Sequence, residues 1–369
     1  MKTIHVRAAS SSYPVICGRG ALGRLANLVD DLRDGGEVLL LSSPRIWKFW
    51  GREVTRKLAV VRRDHIILFD DREVAKRLAT VEKICRKLVR SHADRQSLLV
   101  AVGGGVVGDV AGFAAATYLR GVRIVHVSTT LVAQVDSAIG GKTGVDLPEG
   151  KNLIGAFYPP RLVLADPYML RTLPARQFRS GLYEVIKYAV IGDKELFAFL
   201  ECKLSALLRL DLPALEWTTE RCVRAKARVV SHDEREADLR QILNFGHTIG
   251  HALESLTEYK IFLHGEAVGW GMLCATLIAV GTGRLNERDA SRIASLIARC
   301  GPLPALPRIS PEALSRAIVA DKKSRGGRAR WVLPLRIGAA GVGVEVPEKL
   351  VAMAWRELPS FLARAMEKQ

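Results

Sequence analysis

Five continuous apolar runs punctuate the first half of the chain: Val38–Leu41, Ile66–Phe69, Leu98–Val102, Ile124–Val127 and Leu162–Ala165. A strand with one wet face alternates, whereas a strand covered on both faces reads as an unbroken apolar run of about this length. Between the runs lie stretches such as Glu73–Val89, with helical spacing and basic residues on the outer side. Short buried strands alternating with such helices predict a doubly wound, mostly parallel α/β domain. Ligands of such sheets sit beyond the carboxyl ends of the strands, so polar residues just after each run become binding candidates.

After about Leu170 the period changes. Gln177–Ile191, Lys194–Leu210, Leu212–His232, Gln241–Leu256, Glu266–Thr282, Glu287–Arg299 and Pro311–Lys322 read as helices, with Asp, Ser or Thr near several starts and Gly or Pro near several ends. A strand-like Arg330–Pro334 interrupts late, and an amphipathic helix follows from about Pro347. The expected organisation is an α/β domain over residues 1–170 and a mainly α-helical domain over 171–369.

Composition narrows the classes. The 369 residues are 49% hydrophobic and 25% charged, as in a globular protein of about two domains. Fifty-five Lys and Arg against 38 Asp and Glu leave a net charge of +17, which suits a nucleic-acid surface, an anionic small substrate or a basic exterior. The basic residues are scattered and aromatics are only 6%, so phosphate-bearing small molecules are at least as well supported as nucleic acid. Six separated cysteines form no CxxC pair, which argues against a disulfide scaffold or a cysteine zinc site and suits a reducing cytoplasm. No apolar run reaches the roughly 20 residues of a membrane span, and the N-terminal stretch lacks the apolar region of a signal peptide. A cytoplasmic protein working away from membranes is expected.

Three stretches carry candidate chemistry. Gly103, Gly105 and Gly108 follow an apolar run and precede a helical one, the context of a dinucleotide turn that lets backbone approach a pyrophosphate. The strand that follows ends in Ser128-Thr129-Thr130 without the acid that usually meets the ribose. Gly140-Gly141-Lys142-Thr143-Gly144, with Lys151 and Asn152 downstream, resembles an anion cradle although its spacing is not that of a Walker A loop. In the helical half, His247 and His251 share one helix face, which suits two metal ligands or one ligand beside a proton-transfer group. Thr248 stands where a zinc-protease HExxH helix needs Glu. Glu184 and His264 lie in other polar stretches. With His247 they make one carboxylate and two imidazoles, a common catalytic zinc set.

In this order, Gly103–Asp109, Ser128–Tyr158, Gly181–Tyr188, Asp233–Glu236, Arg240–Glu254 and Leu263–Gly271 closely resemble the 3-dehydroquinate synthase family of sugar phosphate cyclases, with Asp321-Lys322-Lys323 and Val332-Leu333-Pro334 also fitting. The resemblance implies an NAD-binding α/β domain and a helical metal domain with the active site between them. It implies conversion of 3-deoxy-D-arabino-heptulosonate 7-phosphate to 3-dehydroquinate and phosphate, in the shikimate pathway. The steps are transient oxidation at C5 by NAD+, phosphate elimination, reduction, ring opening and intramolecular aldol closure.

By matching position it implies Glu184, His247 and His264 as ligands of one Zn2+ or Co2+, and His251 as the proton-transfer or substrate-positioning group. Lys142, Asn152, Lys187, Lys226, Arg240 and Asn244 would surround the substrate, Lys322 or Lys323 would face its phosphate, and Arg120 would do so across a homodimer interface. The implied NAD+ residues are Asp71, Glu73, Lys76, Gly105, Val106, Val107, Gly108, Asp109, Thr129, Thr130, Asp136, Lys142, Lys151 and Thr172. Two positions depart from the family pattern. Ser42-Ser43-Pro44 stands where many relatives have an acid, and Asp146 stands where Asn is frequent, expected beside the cradle but outside it. Sibling cyclases usually alter Gly140–Gly144, which is intact here. Metal-dependent polyol dehydrogenases would not need so many anion-binding side chains. A nucleic-acid-binding protein would leave the Glu/His/His set unexplained.

Overall fold

The computed structural model describes residues 1–322 and 329–367. They group into two compact units, Met1–Pro174 with Leu215–Arg235, and Ala175–Ala214 with Glu236–Gln369.

In the first unit β1 (Lys2–Arg7) and β2 (Ser12–Cys17) form a hairpin, followed by α1 (Leu25–Arg33), β3 (Val38–Ser42), α2 (Pro44–Lys57), β4 (Ile66–Leu68), α3 (Leu78–Arg90), β5 (Leu98–Gly103), α4 (Gly105–Thr117) and β6 (Arg123–Ser128). A second hairpin, β7 (Lys142–Leu147) with β8 (Gly150–Phe157), precedes β9 (Leu162–Ala165). The main sheet has the order β1-β2-β9-β6-β5-β3-β4, parallel throughout except for the β1–β2 edge. All five apolar runs are strands of this sheet. Every residue of β3, β5 and β9 is buried, which explains why these runs show no alternation.

The single helix expected over Glu73–Val89 is divided. A short 3-10 turn, Glu73–Ala75, ends before α3, and Lys76 and Arg77 between them leave the helical conformation. Lys76 turns inward there to the half-buried carboxylate of Asp109, a tertiary contact that helical periodicity does not register.

The helical half runs through α5 (Ala175–Gly192), α6 (Lys194–Leu208), α7 (Leu212–His232), α8 (His247–Leu256), α9 (His264–Gly281), α10 (Glu287–Arg299), α11 (Pro311–Lys322), the hairpin of β10 (Trp331–Arg336) and β11 (Ala339–Val344), and α12 (Glu348–Glu367). α9 is the centre of the second unit, packed by α5, α8, α10 and α12. Gly265–Thr276 are buried on every side, as an apolar core helix requires.

The expected boundary near Leu170 does not account for α7. Val223, Ala227 and Val230 cluster with Ile4, Val6, Tyr13, Val15, Val163 and Ala165, so most of this helix covers the sheet of the first unit. Its apolar stripe was visible in the sequence, but a stripe does not name the surface it meets. No helix among the described residues is long and apolar enough to cross a membrane.

Candidate functional site

The helix expected over Gln241–Leu256 breaks in the structure, and the break builds the site. Leu239–Asn244 forms a 3-10 turn, and Gly246 then takes φ +80, a left-handed conformation that side chains resist. His247 thereby becomes the first residue of α8. Its Nδ1 lies 3.1 Å from the carbonyl of Phe245, so Nδ1–H donates there and Nε2 carries the lone pair.

His264 opens α9 in the same way. A Cβ at Gly265 would lie 1.9 Å from the Ser180 carbonyl oxygen, so only glycine lets α9 start this close to α5, one turn before Glu184. The Gly265 N–H donates to Ser180 Oγ at 3.1 Å. Glu266 accepts the Leu263 N–H at 2.8 Å and takes two contacts from Arg176, at 2.7 and 2.8 Å, which pins the chain entering His264.

The three elements bring Glu184, His247 and His264 together. Glu184 Oε1 lies 3.8 Å from His247 Nε2 and 3.4 Å from His264 Nε2, and the donor atoms of the set all lie within 4.8 Å of one another. A carboxylate and two imidazole nitrogens aimed at one point fit a divalent transition metal. A second grouping, His251 with Glu254 and His264, meets the same distance limit. The three imidazoles form one cluster, with ring centres 5.4 Å apart for His247 and His251 and 5.2 Å for His247 and His264.

The charges around the rings differ. Burial and the Lys187 ammonium push His247 down to about 3, holding it neutral as a ligand must be. Burial acts the same way on His264, but the Glu254 and Glu184 carboxylates outweigh it and lift the ring to about 10. Lys187, fully buried, lies 2.5 Å from Glu184 Oε2.

The remaining expected residues of the second unit stand nearby in sequence and are packed. Arg240 is 2% exposed, and the Asn244 amide donates to Glu236 at 2.6 Å. Glu236, buried and with φ 61, is a residue the sequence reading did not single out beyond its place in a matching stretch. The last turn of α8 holds another, Glu254, 3.1 Å from His264 Nδ1. Lys322 closes α11, but its side chain, like Lys323 altogether, lies outside the described residues.

The first unit gathers the other expected residues at the carboxyl ends of the strands. β5 ends at Gly103, and α4 begins at Gly105 with Val106, Val107, Gly108 and Asp109 in its opening turns. The Thr129 N–H donates to the Gly103 carbonyl at 2.9 Å, and a Cβ at Gly104 would meet Thr130 Cγ2 at 2.7 Å. This tight strand-to-helix turn, with a helix N-terminus beyond it, fits a dinucleotide pyrophosphate.

Lys76 is buried against Asp109 at 2.6 Å and also donates to the Asn152 side-chain oxygen. Burial acts to discharge Lys76, yet Asp109 and Glu73 hold its ammonium above the usual range. Asn152, expected beside the substrate, is thus joined to residues expected around the nucleotide. Asp146, expected beside the cradle and outside it, is bonded to two of these residues. Its carboxylate accepts the Asn152 N–H at 2.8 Å, fixing a left-handed residue (φ 55), and its own N–H donates to the Lys76 carbonyl.

Lys151 pairs with Glu73 at 3.2 Å, Asp71 with Arg45 at 2.8 Å, and Thr172 accepts the Trp50 indole N–H at 2.8 Å. Ser43, one of the two serines standing in for the acid of many relatives, caps α2 through the Ile46 N–H. Lys226, carried by α7, forms a close ion pair with Asp136, so both belong to the first unit. Lys142 opens β7 and is exposed, as is Arg120, which has φ 66. The expected substrate shell is therefore divided: Lys142, Asn152, Lys226 and Arg120 stand in one unit, and Lys187, Arg240 and Asn244 in the other.

Residues 66–180 match the family described as 3-dehydroquinate synthase N-terminal, and residues 181–324 match 3-dehydroquinate synthase C-terminal. The chain is 47% identical over 344 residues to a 3-dehydroquinate synthase of Pelotomaculum thermopropionicum, covering 93% of each chain. The chain belongs to the 3-dehydroquinate synthase family. Solved structures extend the likeness to sibling enzymes. A 2-epi-5-epi-valiolone synthase from Streptomyces hygroscopicus subsp. jinggangensis, with NAD+ and Zn2+ bound, superimposes with a TM-score of 0.87 at 30% identity, over 95% of this chain and 97% of that one. A 2-deoxy-scyllo-inosose synthase with carbaglucose-6-phosphate, NAD+ and Co2+ gives 0.84 at 29% identity, over 96% and 99%. Identity to the 3-dehydroquinate synthase is thus well above identity to these two siblings.

Proposed function

We propose that this chain converts 3-deoxy-D-arabino-heptulosonate 7-phosphate to 3-dehydroquinate and phosphate, using NAD+ and one divalent cation, as a phosphate-eliminating lyase. The observation that carries the reading is the convergence of Glu184, His247 and His264 in a chain that also holds a dinucleotide turn at Gly103–Asp109. When bound, NAD+ supplies reversible oxidation at the C5 hydroxyl and the cation lowers that hydroxyl's pKa.

The chain's own residues do the rest. The glycine turn and the α4 N-terminus take the pyrophosphate, and the Lys76–Asp109–Asn152 group orders the polar wall beside it. Lys142, Lys187, Lys226 and Arg240 answer a substrate with a dianionic phosphate and a carboxylate. His251, one turn from His247 and outside the Glu184–His247–His264 set, holds or passes a proton at an imidazole nitrogen. Arg120 is assigned to the phosphate bound by a second copy, in a homodimer.

The test is an assay of purified protein with NAD+ and Zn2+ or Co2+. It should release phosphate from the heptulosonate phosphate and form dehydroquinate without net NADH. A different carbocycle would move the chain to a sibling activity, and no phosphate release would overturn the reading.

A further inference from the structure

Glu254 is assigned no role by the ligand set or by the expected substrate shell. It sits on α8 seven residues after His247, hence on nearly the same helix face, and is 2% exposed. Its carboxylate meets His264 Nδ1 at 3.1 Å, while the same ring turns Nε2 toward Glu184 at 3.4 Å. An imidazole that gives its Nδ1 hydrogen to a carboxylate presents its lone pair at Nε2 and is a more basic donor there. His247 achieves the same orientation through the backbone carbonyl of Phe245. The two rings differ in what holds them, because His247 is buried whereas the His264 side chain is 38% exposed at the first residue of its helix. A ring with that much freedom needs an anchor from outside its own element, and among the described residues Glu254 is the group bonded to its Nδ1. The anchor is itself held. The Glu254 carbonyl accepts the Tyr259 N–H at 2.8 Å and the Thr257 hydroxyl at 3.3 Å, tying off the end of α8.

We propose that Glu254 is a positioning residue for the metal: by accepting the Nδ1 hydrogen of His264 it fixes that ring's tautomer and direction, so that Nε2 is delivered to the point faced by Glu184 and His247. The proposal rests on those three residues being the ligands. It excludes the grouping of His251, Glu254 and His264 as the ion site, since that set would make Glu254 a ligand rather than the acceptor for His264.

Metal affinity of the full-length protein, stripped with a chelator, provides the test. Zn2+ is titrated against a chromophoric chelator, and Co2+ is followed by its visible absorption. E254A should weaken Zn2+ binding roughly 10- to 100-fold, the scale found for loss of partners behind a metal-bound histidine, and shift the Co2+ bands. E254Q keeps an acceptor oxygen in place and should retain most of the affinity. If E254A fails to fold, E254L, which fills the space without an acceptor, takes its place with the same expected loss. Nitrogen-15 NMR of the Zn2+-loaded protein should show the His264 Nδ1 hydrogen in a strong hydrogen bond in wild type and not in E254A, a difference that mere packing by Glu254 would not produce.

Wild-type metal affinity and Co2+ bands in E254A would overturn the proposal. Loss of metal in E254A and E254Q as complete as in H264A, with H251A behaving alike, would also overturn it by making Glu254 a ligand. The ligand assignment fails separately: H247A binding metal as wild type does would sink it, whatever Glu254 shows.

Discussion

The two units hold polar groups in opposite ways. In the first, backbone forms the receiving surface and its side chains are mutually neutralised: Lys76 with Asp109, Lys226 with Asp136, Lys151 with Glu73, Arg45 with Asp71. In the second, helices form the frame and like groups are crowded together. Three imidazoles and the Glu184 and Glu254 carboxylates lie in one cluster, with the Lys187 ammonium against Glu184. A dinucleotide needs only room and N–H donors, which a glycine turn provides without unpaired charge. A cation needs converging lone pairs, and those repel one another until it arrives. The first site is therefore tied to the stability of its unit, and the second to ligand occupancy.

That contrast can be broken in stages. The largest effect is expected from His247→Ala, which should leave the purified protein without stoichiometric metal by elemental analysis. Turnover should fall by more than roughly 100-fold, beyond the loss typical of an outer-sphere partner, with NAD+ affinity little changed. Equal loss of NAD+ binding would show that the units are not separable. Lys76→Met tests the other side. It strands Asp109 and Asn152 without their cation and should cost about 3 kcal/mol in denaturant unfolding, the low end for a buried pair because Asp109 is 22% exposed. NAD+ binding should weaken while metal content stays at wild type.

His126, buried in β6, gives the first unit a pH dependence of its own. Burial lowers it to about 4, so the unfolded chain binds a proton between about pH 6.5 and 4 that the folded unit refuses. Stability should fall as pH drops through that window, by about 3 kcal/mol when complete. His126→Leu should flatten this slope in thermal melts, and an unchanged slope would assign it elsewhere. The smallest effect is Gly265→Ala, whose new methyl must displace α9 from the Ser180 carbonyl. Overpacking of this kind costs about 1–3 kcal/mol, and here it should also weaken Zn2+ binding by moving His264, with NAD+ affinity as the unchanged control.

Much of this was legible along the chain. The five apolar runs are the buried strands, since burial on both faces leaves no polar position to alternate. Glu184, His247 and His264, taken from three separate stretches, do converge. Other features were not legible, for one recurring reason: periodicity reports which face of an element is apolar and says nothing of what it meets. Thus the helix at Leu212–His232 was assigned to the helical half, yet Val223, Ala227 and Val230 cover the sheet. Gln241–Leu256 reads as one helix because local spacing does not show that Gly246 takes a positive φ, close against Met272 and Val268 of α9. The bonds of Asp146 to Asn152 and Lys76 join positions 6 and 70 residues away, which local spacing does not reveal.

By itself the sequence determined the five buried strands, most of the helices and which residue types are available for chemistry, because those depend on local period and side-chain identity. Only the tertiary structure decided which nitrogen of each histidine is left for a metal and which carboxylate holds it there. For His247 the acceptor is a backbone carbonyl two residues back, exposed by the chain break at Gly246, and for His264 it is a carboxylate brought within about 3 Å by the packing of one helix on another, a distance that no spacing along the chain encodes.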